Sequence, residues 1–229
     1  MPYYYLDVSW YLFVLPAFVL ALWAQQRVKS TFRRYRAVPT LRGMTGAEAA
    51  RYLLDARGLS HVRVERIAGS LTDHYDPRTQ TVRLSDPVFG SATVAAVGVA
   101  AHECGHAFQH AEGYGPLRLR NAIIPVTNLG SSLAIPIFVL GLLFNYKPVM
   151  ALGLLLFSLM AVFQLVTLPV EYNASRRAIA TVDERGLLTP EETAGARRML
   201  SAAALTYVAA LASTMAQLGR LVLISRRRD

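Results

Sequence analysis

Three long apolar runs constrain this chain more than any other feature. Residues 8–24 (VSWYLFVLPAFVLALWA), 129–144 and 149–170 carry too little polarity for the surface of a soluble domain. With their flanks they approach the roughly 20 residues that a helix needs to cross a bilayer core. The last two are joined only by Asn145, Tyr146, Lys147 and Pro148, a connection short enough to force an antiparallel helical hairpin. Composition agrees, because 53% of the 229 residues are hydrophobic and only 17% are charged, at the apolar end of what soluble domains show. A fourth stretch, 199–224, is long enough to span, but it contains Arg220 and runs into Arg226, Arg227 and Arg228. For that stretch, packing on other helices or lying in the interface competes with crossing. Three to four transmembrane helices are expected.

Orientation follows from charge. Tyr3, Tyr4 and Tyr5 rim the first run, which covers 6–26 with its flanks, and Arg27, Lys29, Arg33, Arg34 and Arg36 follow it. A cleaved leader carries its positive charges before the apolar run, so this one reads as an uncleaved anchor. The basic cluster is expected to stay cytoplasmic. The hairpin at 128–170 then returns the chain to the side it left, so Glu171 and the segment around residue 100 share one face. The setting this implies is a membrane crossed several times, with the segment around residue 100 on the cytoplasmic side. The single cysteine, Cys104, excludes an intramolecular disulfide. The net charge of +9 comes without zinc-finger spacing, a basic zipper or a single-strand-binding aromatic pattern, which points to anionic lipid rather than nucleic acid.

The expected fold class is α+β: a helical integral-membrane protein with a small zincin-like cytoplasmic unit at 44–115. Thr45 and Glu48 form a capping-box pattern that starts a helix ending near Gly58. Residues 61–67 alternate apolar and polar, while 71–75 and 81–84 flank the turn-forming Asp76-Pro77-Arg78-Thr79, so strands and a hairpin are expected. An alanine-rich helix over 92–111 should end at Gly113, Gly115 and Pro116. With no repeat or long linker, 1–229 reads as one domain, in which 171–229 supplies a further helix and the C-terminal apolar helix.

The chemistry lies in His102-Glu103-Cys104-Gly105-His106. Imidazoles four residues apart share one helical face about 6 Å apart along the axis, so one zinc ion can bridge them. A water it activates could then lose its proton to Glu103 and attack a peptide carbonyl. A catalytic zinc needs a third protein ligand. In an unbroken helix His110 is about 12 Å along the axis from His102, too far to share the ion. The metzincin pattern also fails, since Gln109 and Glu112 stand where it needs glycine and histidine. Glu171 is the best-placed carboxylate, at the start of a helix after Pro169. Glu184, Glu191 and Glu192 sit in a mixed-charge stretch that reads as solvated.

These residues resemble the YugP-type bacterial membrane zinc metallopeptidases. The resemblance is carried by 71–78 (LTDHYDPR), 95–107 (AAVGVAAHECGHA), 109–114 (QHAEGY), 116–121 (PLRLRN) and 168–178 (LPVEYNASRRA). It implies a neutral zinc peptidase with one catalytic Zn2+ whose third ligand is Glu171. More distantly the chain resembles the HtpX and CAAX-protease gluzincins, which carry an aspartate where this chain has Ser175. Ser175 can hydrogen-bond a ligating histidine, and Asp73 or Asp183 could orient His102 or His106.

The function expected is zinc-dependent endopeptidase activity inside the membrane protein, with His102, His106 and Glu171 on the metal and Glu103 as base. His74 and Tyr75 are candidates to stabilise the oxyanion. Residues 81–84 could offer an open strand edge to an extended or unfolded polypeptide. Cys104 points away from the histidines, into the core. The alternative is a catalytically inactive zinc-binding membrane module acting by protein–protein binding, against which the intact Glu103 argues. A metal transporter would place histidines and carboxylates within the spans, and the three runs contain none.

Overall fold

Local signals set the helix ends and the long apolar runs set the helix lengths. A computed structural model describes residues 8–226; Tyr3, Tyr4, Tyr5, Leu6, Arg227 and Arg228 lie outside the described residues. The elements are α1 (Leu15–Arg36), α2 (Gly46–Ala56), β1 (Arg63–Ile67), β2 (His74–Asp76), β3 (Thr81–Ser85), α3 (Asp86–Phe89), α4 (Val94–Ala111), α5 (Gly115–Leu143), α6 (Lys147–Glu184) and α7 (Pro190–Arg226). A π-helical turn, Trp10–Val14, leads into α1. Among the described residues four helices are long and apolar enough to cross a membrane: α1 with its π turn, α5, α6 and α7. The 199–224 stretch, open on sequence, therefore joins the other three by length and composition.

The chain divides into two compact units. One takes the described residues up to Gln25, Leu119–Leu168, and those from Leu205 onward. Within it α5 and α6 meet backbone to backbone: a Cβ on Gly141 would lie 2.5 Å from Met150 N, and one on Gly153 2.6 Å from Phe138 N. Small residues permit this approach between membrane helices. The tight reversal between them puts Asn145 at φ +49°, with Tyr146 N–H donating to Gly141 O at 2.8 Å. Phe138, Met150 and Leu221 pack inside, while Leu129, Leu143, Phe144, Leu155 and Leu165 are exposed, a surface that suits lipid rather than water.

The second unit comprises Gln26–Arg118 and Pro169–Ala204. Its first helix is capped as the sequence reads: Thr45 Oγ1 accepts from Glu48 N–H at 3.3 Å, and Glu48 Oε2 accepts from Thr45 N–H at 2.8 Å. Leu53 and Leu54 of α2 are fully buried, each contributing about 1.5–3 kcal/mol. They belong to a core that includes Val82, Leu84, Val97, Ala100, Val182 and Met199. The Asp76 turn is held by Arg78 N–H at 2.9 Å and Thr79 Oγ1 at 2.8 Å. The Thr79 hydroxyl, then the Arg78 amide and Arg83, keep the Asp76 carboxyl well below the usual carboxylate range.

Four expectations change here. The three-stranded sheet has the order β1-β3-β2, with β1 parallel and β2 antiparallel to β3. Both edges of β3 are thus filled, and residues 81–84 offer no open edge to a substrate. Strand β2 is shorter than 71–75 suggests, because Leu71 (φ +61°) and Gly69 (φ +108°) turn the chain just before it. Glu171 does not begin a helix, since α6 runs unbroken through Pro169. A proline deletes one rung of the ladder, and in an apolar setting the remaining rungs have no water to turn to. Glu192 is more than a solvated charge: it forms a capping box with Thr189 and accepts from Leu41 N–H at 2.7 Å. Gly113 (φ +63°) follows the end of α4 as the sequence reads, and Gly115 and Pro116 open α5, where a first-turn proline fits.

Candidate metal centre

Helix α4 begins at Thr93, whose hydroxyl accepts from Ala96 N–H at 3.3 Å, and carries the five residues from His102 to His106 in its second half. Gly105 decides how near its neighbour comes. A Cβ there would lie 2.4 Å from the backbone oxygen of Ala174 on α6, so hydrogen alone allows the two backbones to touch at this level. Ala174 stands between Glu171 and Ser175, and the contact delivers both to the histidines. His102 Nε2 lies 3.3 Å and His106 Nε2 3.6 Å from Glu171 Oε2. The ligand atoms of the three residues all lie within 4.8 Å of one another, and Glu171 is only 3% exposed.

The outer nitrogens are held as well. His102 Nδ1 is 3.1 Å from Ser175 Oγ, and His106 Nδ1 is 3.0 Å from Gln109 Oε1. Gln109 is fully buried, and its amide N–H groups donate to Val170 O at 2.8 Å and Asn173 Oδ1 at 3.0 Å. Its oxygen therefore faces His106, so the Nδ1 there carries the proton and Nε2 presents a lone pair. Asn173 Oδ1 also accepts from Arg177 at 2.6 Å, and Arg177 pairs with Glu112. This chain of contacts was not legible in the sequence. Asp73, proposed for an orienting role, instead accepts from Ser85 N–H at 2.7 Å and from its hydroxyl, and Asp183 does not meet either imidazole.

Removing the Gln109 carboxamide should loosen His106. Gln109→Leu is expected to weaken zinc binding about 10- to 100-fold, the usual effect of losing a partner behind a metal ligand. Competition with a chromophoric chelator measures this, and wild-type affinity would show that Gln109 only fills space.

Glu103 is 7% exposed on the same helix. Burial pushes its carboxyl up to about 7, His102 opposes the rise, Glu171 and Asp73 add to it, and the Tyr75 backbone N–H holds it down. Strand β2 thus meets the helix through its main chain. The Tyr75 hydroxyl, pushed up to about 12 by burial and by Asp76, lies 2.8 Å from His110 Nδ1, and His74 Nδ1 lies 2.8 Å from Thr72 O. The side chains of His74, Tyr75 and His110 are occupied with these partners rather than with the three-residue cluster. Cys104 is buried beneath α2, 3.6 Å from Ala50 O, and burial raises its thiol above the ordinary value.

In neutral rings whose Nδ1 protons go to Ser175 and Gln109, both Nε2 lone pairs face the Glu171 carboxylate oxygen, and a cation among them removes the repulsion. With two nitrogens and one oxygen as donors, the cluster fits a zinc site of the catalytic kind, which takes three protein ligands.

Comparison with known proteins agrees. The curated protein "Putative membrane protease YugP" of Bacillus subtilis (strain 168) is 48% identical over 210 residues, covering 92% of this chain and 93% of that one. No solved structure gives a significant match. Residues 10–226 match the family described as "Putative neutral zinc metallopeptidase", and the chain belongs to that family.

Proposed function

We propose that this chain is a zinc-dependent integral-membrane endopeptidase of gluzincin type. The observation that carries the reading is the convergence of His102 Nε2 and His106 Nε2 on Glu171 Oε2, with the Glu103 carboxylate on the same helix. His102, His106 and Glu171 would hold one ion. Zinc bound there supplies Lewis acidity toward a peptide carbonyl and toward water. Glu103 takes the proton of the attacking water and passes it to the leaving amine. The Tyr75 N–H fixes that carboxylate, and Ser175 and Gln109 fix the two rings. The His74 ring and the Tyr75 hydroxyl, bonded to Thr72 O and His110 Nδ1, would exchange those partners to stabilise the oxyanion. The substrate is an extended or unfolded polypeptide, reached at the cytoplasmic face of a bacterial inner membrane. The basic cluster after the first span supports this orientation.

The test is cleavage of an unfolded reporter protein by the full chain in detergent micelles, with zinc measured on the same sample. About one zinc per chain is expected. A strong chelator should abolish cleavage, and zinc should restore it. Undiminished cleavage by metal-free protein would sink the proposal.

A further inference from the structure

Helices α6 and α7 enclose a groove of about 400 Å³ in the second unit. Its wall touches the metal cluster at one residue, Ser175, whose hydroxyl meets His102, and includes Tyr172, next in sequence to Glu171. From Tyr172 to Asp183 the groove follows α6 for about 16 Å, the length of some five extended residues. Ile179, Leu200 and Ala204 supply buried apolar lining. Arg176 and Arg197 line it from the two helices, both exposed. Among the described residues no ion pair or side-chain hydrogen bond engages either guanidinium or the Asp183 carboxylate, two helical turns beyond Arg176.

Two guanidinium groups against the single Asp183 carboxylate leave the groove net positive beside its apolar lining, and a positive cleft attracts the opposite charge. Arginine offers carboxylates a two-pronged hydrogen bond. We propose that this groove binds the polypeptide substrate beside the scissile bond, seating an apolar side chain with an acidic residue next to it. The inference rests on the protease reading and adds a substrate preference to it.

The experiment uses zinc-loaded Glu103→Gln protein, full-length and in detergent, and fluorescent peptides with a central leucine beside either glutamate or glutamine. Polarisation should show the glutamate peptides binding about ten-fold tighter. The added pair Arg176→Ala and Arg197→Ala should bring that ratio close to one with zinc content unchanged. Ser201→Trp, which fills the groove from an exposed position, should weaken both peptide sets. Equal binding of the two sets, or a ratio indifferent to the arginines, overturns the inference. So does an intact ratio with lost binding to phosphatidylglycerol vesicles, which would make the groove a lipid site. Wild type that cleaves the unfolded reporter without an acidic preference leaves the protease reading standing and removes the groove from it. Preference in binding without cleavage does the reverse.

Discussion

Glu103→Gln is expected to lower turnover of an unfolded reporter about 100- to 10,000-fold while the protein retains its zinc. Glutamine keeps the shape of the side chain and an oxygen for the Tyr75 N–H, but it cannot take a proton. The substitution should not unfold the protein, because burial already disfavours the charged carboxylate and pushes it up to about 7. The three proposed metal ligands are untouched. Turnover and zinc content measured on one preparation separate the outcomes: loss of both would make Glu103 a structural or ligating group, and undiminished turnover would place the base elsewhere.

Gly105→Ala should act through the metal rather than through the proton. The new methyl would sit 2.4 Å from Ala174 O and 3.0 Å from Ala174 C, both backbone atoms of a helix that cannot swing aside as a side chain can. The helices must separate, at a cost of about 1–3 kcal/mol, and the separation falls between the histidines on α4 and Glu171 on α6. Zinc affinity should drop by about 100-fold, as for lost support of a ligand. Gly90→Ala is the control, since nothing lies within 4 Å of its added methyl. Calorimetric zinc titration decides, and wild-type affinity in Gly105→Ala would mean that the contact does not govern the site.

The sequence exposed those features that depend on near neighbours. The Thr45–Glu48 cap, the His102–His106 spacing and the termination of α4 all follow from residues within a turn or two. Glu171 was reachable as a candidate because the short reversal at Asn145 forces the chain back. What stayed hidden depends on contacts between distant segments. Gln109 reads as one more polar residue until Val170 and Asn173 take its amide and turn its oxygen toward His106. The middle position of β3 depends on β1 adding in parallel, a pairing that alternation alone does not rank. Asp73 looked available for a histidine because nothing in its own neighbourhood announces Ser85 as its partner.

The contact of Gly105 with Ala174 joins segments made at different moments of synthesis. A ribosome that has finished His106 has produced two of the three candidate ligands and the proposed base, but it must still make both apolar runs of the hairpin before Glu171 emerges, which takes several seconds at ordinary rates of elongation. During that interval the growing chain holds only part of the candidate cluster. The order of the residues therefore acts as a delay, and the complete centre arises only after the hairpin has been built.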